Sequence, residues 1–174
     1  MANTYFPITT TTVGAGGATN VEFTSIPGTY TDLLVSISLR TNDTGNDSGA
    51  TRMTFNNDTG SNYSFKRIYG DGSAVGTGGT TGATYIRVGN NCPSSGNTAN
   101  TFANVSLYIP NYTSSNNKST SEDNVGENNT TTAYIQMNAA LWSGTSAITS
   151  IKFTAENANI SQYSTFTLYG IKKN

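Results

Sequence analysis

This chain of 174 residues carries ten carboxylate side chains and nine basic ones, and it has no histidine. Paired carboxylates are therefore the one catalytic chemistry open to it, since glycoside hydrolysis needs only two of them. The candidates are Glu22, Asp32, Glu122, Asp123, Glu127 and Glu156, and nothing in their spacing selects a pair. A Ser-His-Asp or Cys-His arrangement cannot be built without an imidazole, and zinc has no ligand set to use. Cys92 is the single cysteine and sits beside Pro93 in a polar stretch, where filling space suits it better than nucleophilic attack. No internal disulfide is available, so packing and hydrogen bonding must hold the fold. The expectation is a protein that is not an enzyme and needs no cofactor.

Two stretches cluster oxygen donors around glycine as calcium loops do: Asn42-Asp43-Thr44-Gly45-Asn46-Asp47-Ser48 and Asn56-Asn57-Asp58-Thr59-Gly60. Neither has the terminal glutamate of an EF-hand loop, and Asx turns account for both without an ion. No metal site is expected. Aromatic rings in polar surroundings are more suggestive, because they can stack on sugars or anchor a protein interface. Tyr63 belongs to this set, and Tyr69, Tyr108, Tyr112, Tyr134 and Trp142 are the candidate contacts for a partner or a glycan. The competing role for each ring is to lend its area to a modest aliphatic core.

The elements that position these groups must come from an unusual composition. Apolar residues make up 34% and charged ones 11%, against about 45–50% and about 25% in ordinary globular chains. Roughly four residues in ten are Asn, Ser or Thr, which compete with helix and suit turns and strand faces. Disordered chains lack aromatics and carry high net charge, whereas this one has ten Tyr, seven Phe, one Trp and a net charge of -1. That balance leaves no electrostatic footprint for nucleic acid or an anionic membrane. Met1-Ala2-Asn3-Thr4 lacks the features of a signal peptide. The expectation is a soluble protein made in a cytoplasm, in which the many Asn-x-Ser/Thr triplets, such as Asn111-Tyr112-Thr113, are not glycosylated.

From Leu33 to Leu39 every second residue is apolar, the signature of a strand with one dry face, and it is the central strand of this reading. Ile26-Pro27-Gly28-Thr29 ahead of it predicts a type II turn. Tyr5 to Val13 holds Pro7, so residues 1–18 are expected as an edge strand or extended arm. Further strands are expected over Asn20–Ser25, Arg52–Asn56, Tyr63–Tyr69, Thr84–Val88, Phe102–Pro110, Ala133–Leu141, Ile148–Thr154 and Tyr163–Ile171. In the third of these Tyr63, Phe65, Arg67 and Tyr69 share a face. In Ala133–Leu141 the apolar row Ala133, Ile135, Met137, Ala139, Leu141 opposes Tyr134, Gln136 and Asn138. Ser73–Gly82 is glycine-rich and reads as a mobile tip or loop. Asn90–Thr101 reads as a polar loop, and Asn111–Thr131 as a long insertion, functional or ordered by a partner. About ten short strands at even spacing imply one all-β domain over 1–174, an antiparallel, jelly-roll-like β-sandwich.

Several motifs together resemble a known family: Ser25-Ile26-Pro27-Gly28-Thr29-Tyr30-Thr31-Asp32-Leu33, Leu39-Arg40-Thr41, Phe55-Asn56, Asp58-Thr59-Gly60-Ser61-Asn62-Tyr63, Tyr69-Gly70-Asp71-Gly72, Tyr108-Ile109-Pro110-Asn111-Tyr112, Glu127-Asn128-Asn129 and Phe166-Thr167-Leu168-Tyr169-Gly170-Ile171-Lys172. Over nearly its whole length the chain is similar to small virion structural proteins of tailed bacteriophages, especially phages of cyanobacteria and marine bacteria. The resemblance implies a component of the particle, without carrying over binding residues. The expected role is a capsid decoration, or cement, protein: a homotrimer on the virion surface that binds the major capsid protein. The alternative is a receptor- or carbohydrate-binding module on a fibre.

Overall fold

A computed structural model describes residues 4–44, 49–130 and 133–172. Twelve strands follow in order: β1 (Thr4–Thr12), β2 (Asn20–Phe23), β3 (Asp32–Leu39), β4 (Gly49–Phe55), β5 (Tyr63–Gly70), β6 (Val75–Ala83), β7 (Ile86–Cys92), β8 (Ala103–Ile109), β9 (Lys118–Gly126), β10 (Tyr134–Trp142), β11 (Ile151–Ala155) and β12 (Thr165–Lys172). They build an eight-stranded sheet, β1-β12-β3-β8-β9-β10-β5-β6, and a four-stranded sheet, β2-β11-β4-β7. All pairings are antiparallel. The described residues contain no helix.

Eight of these strands form a jelly roll. The chain alternates between the larger sheet and the smaller at each step from β1 to β4, and β12, β11, β8 and β7 return as the partners of β1, β2, β3 and β4. That is one long antiparallel ribbon rolled into two sheets. The remaining four strands arrive as two hairpin-like inserts, β5-β6 and β9-β10, which extend the larger sheet past β8 as a wing.

The jelly-roll half is held by apolar rows. Leu33, Val35, Ile37 and Leu39 of β3 face Val105, Leu107 and Ile109 of β8 across the sheet, and Phe153 of β11 packs its ring on Phe166 and edge-on to Phe23. β3 lies between β12 and β8, inside the sheet as its alternation predicts. β1 is the edge strand, and its register slips between Pro7 and Thr9, where proline cannot donate to the ladder. Cys92 closes β7 in the core, where burial pushes its thiol up to about 12.

Four expectations are corrected. Gly28 does not take the left-handed conformation of a type II turn; Ser25 does, at φ 53°. Ser73–Gly82 is largely strand β6, not a loop, because its glycines let neighbouring side chains lie across it. A Cβ at Gly76 would overlap the Tyr69 ring, and one at Gly78 would sit 2.8 Å from Arg67 Nε. The Asn111–Thr131 insertion contains β9, whose inward row is polar and so shows no apolar alternation. The presumed loop from Asn90 begins inside β7, which runs to Cys92. Thr131 itself, and 45–48 of the first oxygen-rich stretch, lie outside the described residues.

Candidate functional site

Two surfaces of the wing have the chemistry of a functional site, and both follow from one inversion. In β10 the inward row is Gln136, Asn138, Ala140 and Trp142, while Ile135 and Met137 stand 61% and 65% exposed. In β9 Lys118, Thr120, Glu122 and Asn124 are buried and Val125 is 43% exposed.

The inner surface is polar because of what it faces. β7 is the edge strand of the smaller sheet, bonded only to β4, and it packs against β9, β10 and β5. Its unpaired backbone groups need partners. Side chains of the wing supply them. Glu122 Oε1 accepts from the Gly89 N–H (2.7 Å), Asn124 Nδ2 donates to the Asn90 carbonyl (2.6 Å), and Asn138 Nδ2 donates to the Arg87 carbonyl (3.0 Å) and to Glu122 Oε2 (3.1 Å). Burial pushes the Glu122 carboxyl up to about 7 despite these bonds.

Where the wing runs past β7, the margin opens into a groove. It comprises two depressions of about 320 Å³ and about 450 Å³ that share Arg67 of β5 and Arg87 of β7. Arg87 and Arg52 (3.2 Å) both pair with Glu156 Oε1, and Arg52 lies over the Tyr85 ring at 4.7 Å. Arg67 lies over the Tyr69 ring at 5.4 Å, and its pKa is lowered first by burial and then by the charge of Arg87. Arg67 Nε and Nη1, Arg87 Nε, Gln136 Nε2, Asn124 Oδ1 and Asn138 Oδ1 are buried and find no partner among the described residues.

The outer surface of the same strands is apolar. Ile68 and Val75, 51% and 74% exposed, join Ile135 and Met137 in a shallow depression. A contiguous apolar strip on a solvent-facing sheet ordinarily marks an interaction site.

The five candidate contact residues are dispersed. Trp142 and Tyr112 are core residues, which corrects their assignment as contacts. Trp142 packs on Phe55 and Tyr63 and donates from Nε1 to Asp58 Oδ2 (2.7 Å); Tyr112 donates from its hydroxyl to the Pro27 carbonyl. Tyr108 is half-buried, its hydroxyl donating to buried Asp32 (2.7 Å), and burial with that carboxylate raises its pKa to about 12. Tyr69 and Tyr134 are brought together, 6.4 Å between ring centroids, at the end of the row that holds Arg67 and Gln136.

The carboxylates are engaged in separate places. Glu22 meets Lys152 at 4.0 Å, Glu127 accepts from the Asn129 N–H, Glu156 holds two arginines and Asp123 lies on the outward face of β9. Asp58, in the second oxygen-rich stretch, spends its oxygens on Gly60, Asn62 and Trp142, and the Trp142 and Asn62 bonds lower its pKa. Among the described residues no group of three or more metal-binding side chains forms. The sequence reading missed Arg87, Asn90 and the joint role of Arg67. The available signal was Arg67 itself, a lone cation in an otherwise aromatic row.

No protein-family model, curated protein or solved structure matches this chain.

Proposed function

We propose that this protein is a structural component of a tailed bacteriophage particle, a decoration protein that binds the outside of the assembled head and stabilises it. The observation that carries this reading is the apolar strip of Ile68, Val75, Ile135 and Met137, presented on a sheet face that no other described residue covers. The sequence resemblance to virion structural proteins supports it, as does a neutral surface rich in hydrogen-bonding groups, which suits broad, wet contacts.

Such a protein acts by association and catalyses nothing. It binds neighbouring capsid subunits, as a trimer about a symmetry axis, with the apolar strip covered by the assembly. Because it binds the closed shell and not the dissociated subunits, mass action shifts the balance toward the closed shell. Burying the strip contributes roughly 25 cal/mol per Å² of apolar surface.

Purified virions should contain the chain in numbers that scale with capsid subunits, counted by quantitative mass spectrometry. Heads stripped of it should open at lower temperature, and Met137→Asp should leave the monomer folded but abolish its return to stripped heads. Fibre-like copy numbers, or heads equally stable without it, would reject the reading in favour of a fibre module.

A further inference from the structure

The geometry points to a binding site for an acidic sugar, a saccharide unit bearing a carboxylate, in the groove between β7 and the wing, with Arg67 and Arg87 as the carboxylate contacts. The inference does not depend on where in the particle the protein sits.

Three observations support it. First, the groove holds donors without acceptors. Arg67 Nε and Nη1 and Arg87 Nε find no partner among the described residues, and both side chains line both depressions. Buried donors left idle are costly to a fold, which is a reason to look for a ligand that would complete them. Second, the local charge favours an anion. Arg52, Arg67 and Arg87 gather around the single carboxylate Glu156, and the nearby Glu122 is held partly protonated at neutral pH. Guanidinium groups are suited to carboxylates through parallel N–H bonds.

Third, the rest of the wall suits hydroxyl groups better than a bare ion. Asn91 and Asn157 line one depression, and Thr80, Thr84 and the Tyr85 ring line the other. Neutral amides and hydroxyls can pair with sugar hydroxyls, and an aromatic face can carry the apolar side of a pyranose. Both depressions are of the size that holds a small ligand. Gly76 and Gly78 leave the space in which the Tyr69 ring and the Arg67 side chain lie against β6.

The deciding experiment titrates the full chain, isotopically labelled, with D-glucuronate, D-glucose and inorganic phosphate while following the arginine Nε–H resonances. Glucuronate should shift the Arg67 and Arg87 signals saturably in the millimolar range or below, with glucose and phosphate each weaker by roughly tenfold or more. Arg67→Gln should weaken glucuronate binding by roughly tenfold or more with the backbone spectrum otherwise intact. Phosphate binding as tightly as glucuronate would reduce the groove to a generic anion site and overturn the proposal. Glucose binding as tightly would remove the role of the carboxylate and overturn it equally. Should Arg67→Gln fail to fold, the unaltered protein still decides, since arginine resonances that stay still under saturating glucuronate overturn the assignment.

Discussion

Strands β3 and β10 lie in one sheet and alternate with equal regularity, yet they present opposite chemistry to the space between the sheets. β3 sends Leu33, Val35, Ile37 and Leu39 inward; β10 sends Gln136 and Asn138 inward and leaves Ile135 and Met137 outside. The difference lies in what each strand meets. β3 belongs to the jelly roll, whose interior is filled by apolar side chains of the smaller sheet, such as Phe153. β10 meets β7, the rim of that sheet, with its row of backbone groups in want of partners. Which side of a strand is polar is thus decided by the hydrogen-bonding demand of the surface opposite, and depth from solvent comes second.

Breaking this contrast should be costliest in the jelly roll. Phe153→Ala, at a fully buried ring in contact with Phe23 and Phe166, is expected to cost about 3–5 kcal/mol in urea unfolding. Ile135→Ala, an equally apolar truncation on the wing, should change the stability of the isolated chain by about 0.5 kcal/mol or less. Comparable costs at the two sites would dissolve the distinction.

Next in size is the pH response of the polar half. Burial raises the Glu122 carboxyl from 4.5 to about 7 in the folded protein. Between those values the folded chain keeps a proton that the unfolded chain releases. The favourable contribution is therefore complete below about 4.5, declines as pH rises, and is gone above about 7. Unfolding free energies should fall by an amount on the order of 3 kcal/mol between about pH 4.5 and mildly alkaline buffer, and Glu122→Gln should flatten the curve. With no histidine in the chain, a flat profile for the unaltered protein would count directly against a buried, proton-holding Glu122.

A smaller effect is expected from Asn124→Leu, which keeps the bulk and removes the donor to the Asn90 carbonyl. Leucine would stabilise an ordinary core site, but here it should cost about 1–3 kcal/mol, because the rim carbonyl loses its partner. Faster amide exchange along β7 should accompany it. Smallest of all, Gly76→Ala should cost about 1 kcal/mol or less, and its mark should be a displaced Tyr69 ring in the NMR spectrum, since a methyl there cannot coexist with the present ring position.

The same contrast explains what could be read in advance. The jelly-roll strands were legible because their apolar rows face an apolar surface, as in Leu33–Leu39, and Pro7 marked β1 as an edge. In the wing β5 and β10 were legible as Tyr63–Tyr69 and Ala133–Leu141, but β6 and β9 were not, for two reasons. The glycines of β6 serve close approach by Tyr69 and Arg67, but in a sequence they look like a linker. Lys118–Gly126 alternates one kind of polar residue with another, so its strand leaves no hydrophobic period to detect. Trp142 and Tyr112 looked like surface contacts from their polar neighbours, yet in the fold those surroundings supply acceptors for buried rings, Asp58 for Trp142 and the Pro27 carbonyl for Tyr112. The groove could not be read at all, since Arg67 and Arg87 meet only through the packing of one sheet on the other.

Cys92 is sealed in the core with its thiol held protonated far above neutrality. Oxidants attack thiolates that solvent can reach, and this sulfur offers neither charge nor access. The core is accordingly indifferent to thiol chemistry: it can be assembled in a reducing compartment and persist in an oxygenated medium with no covalent change at its single thiol.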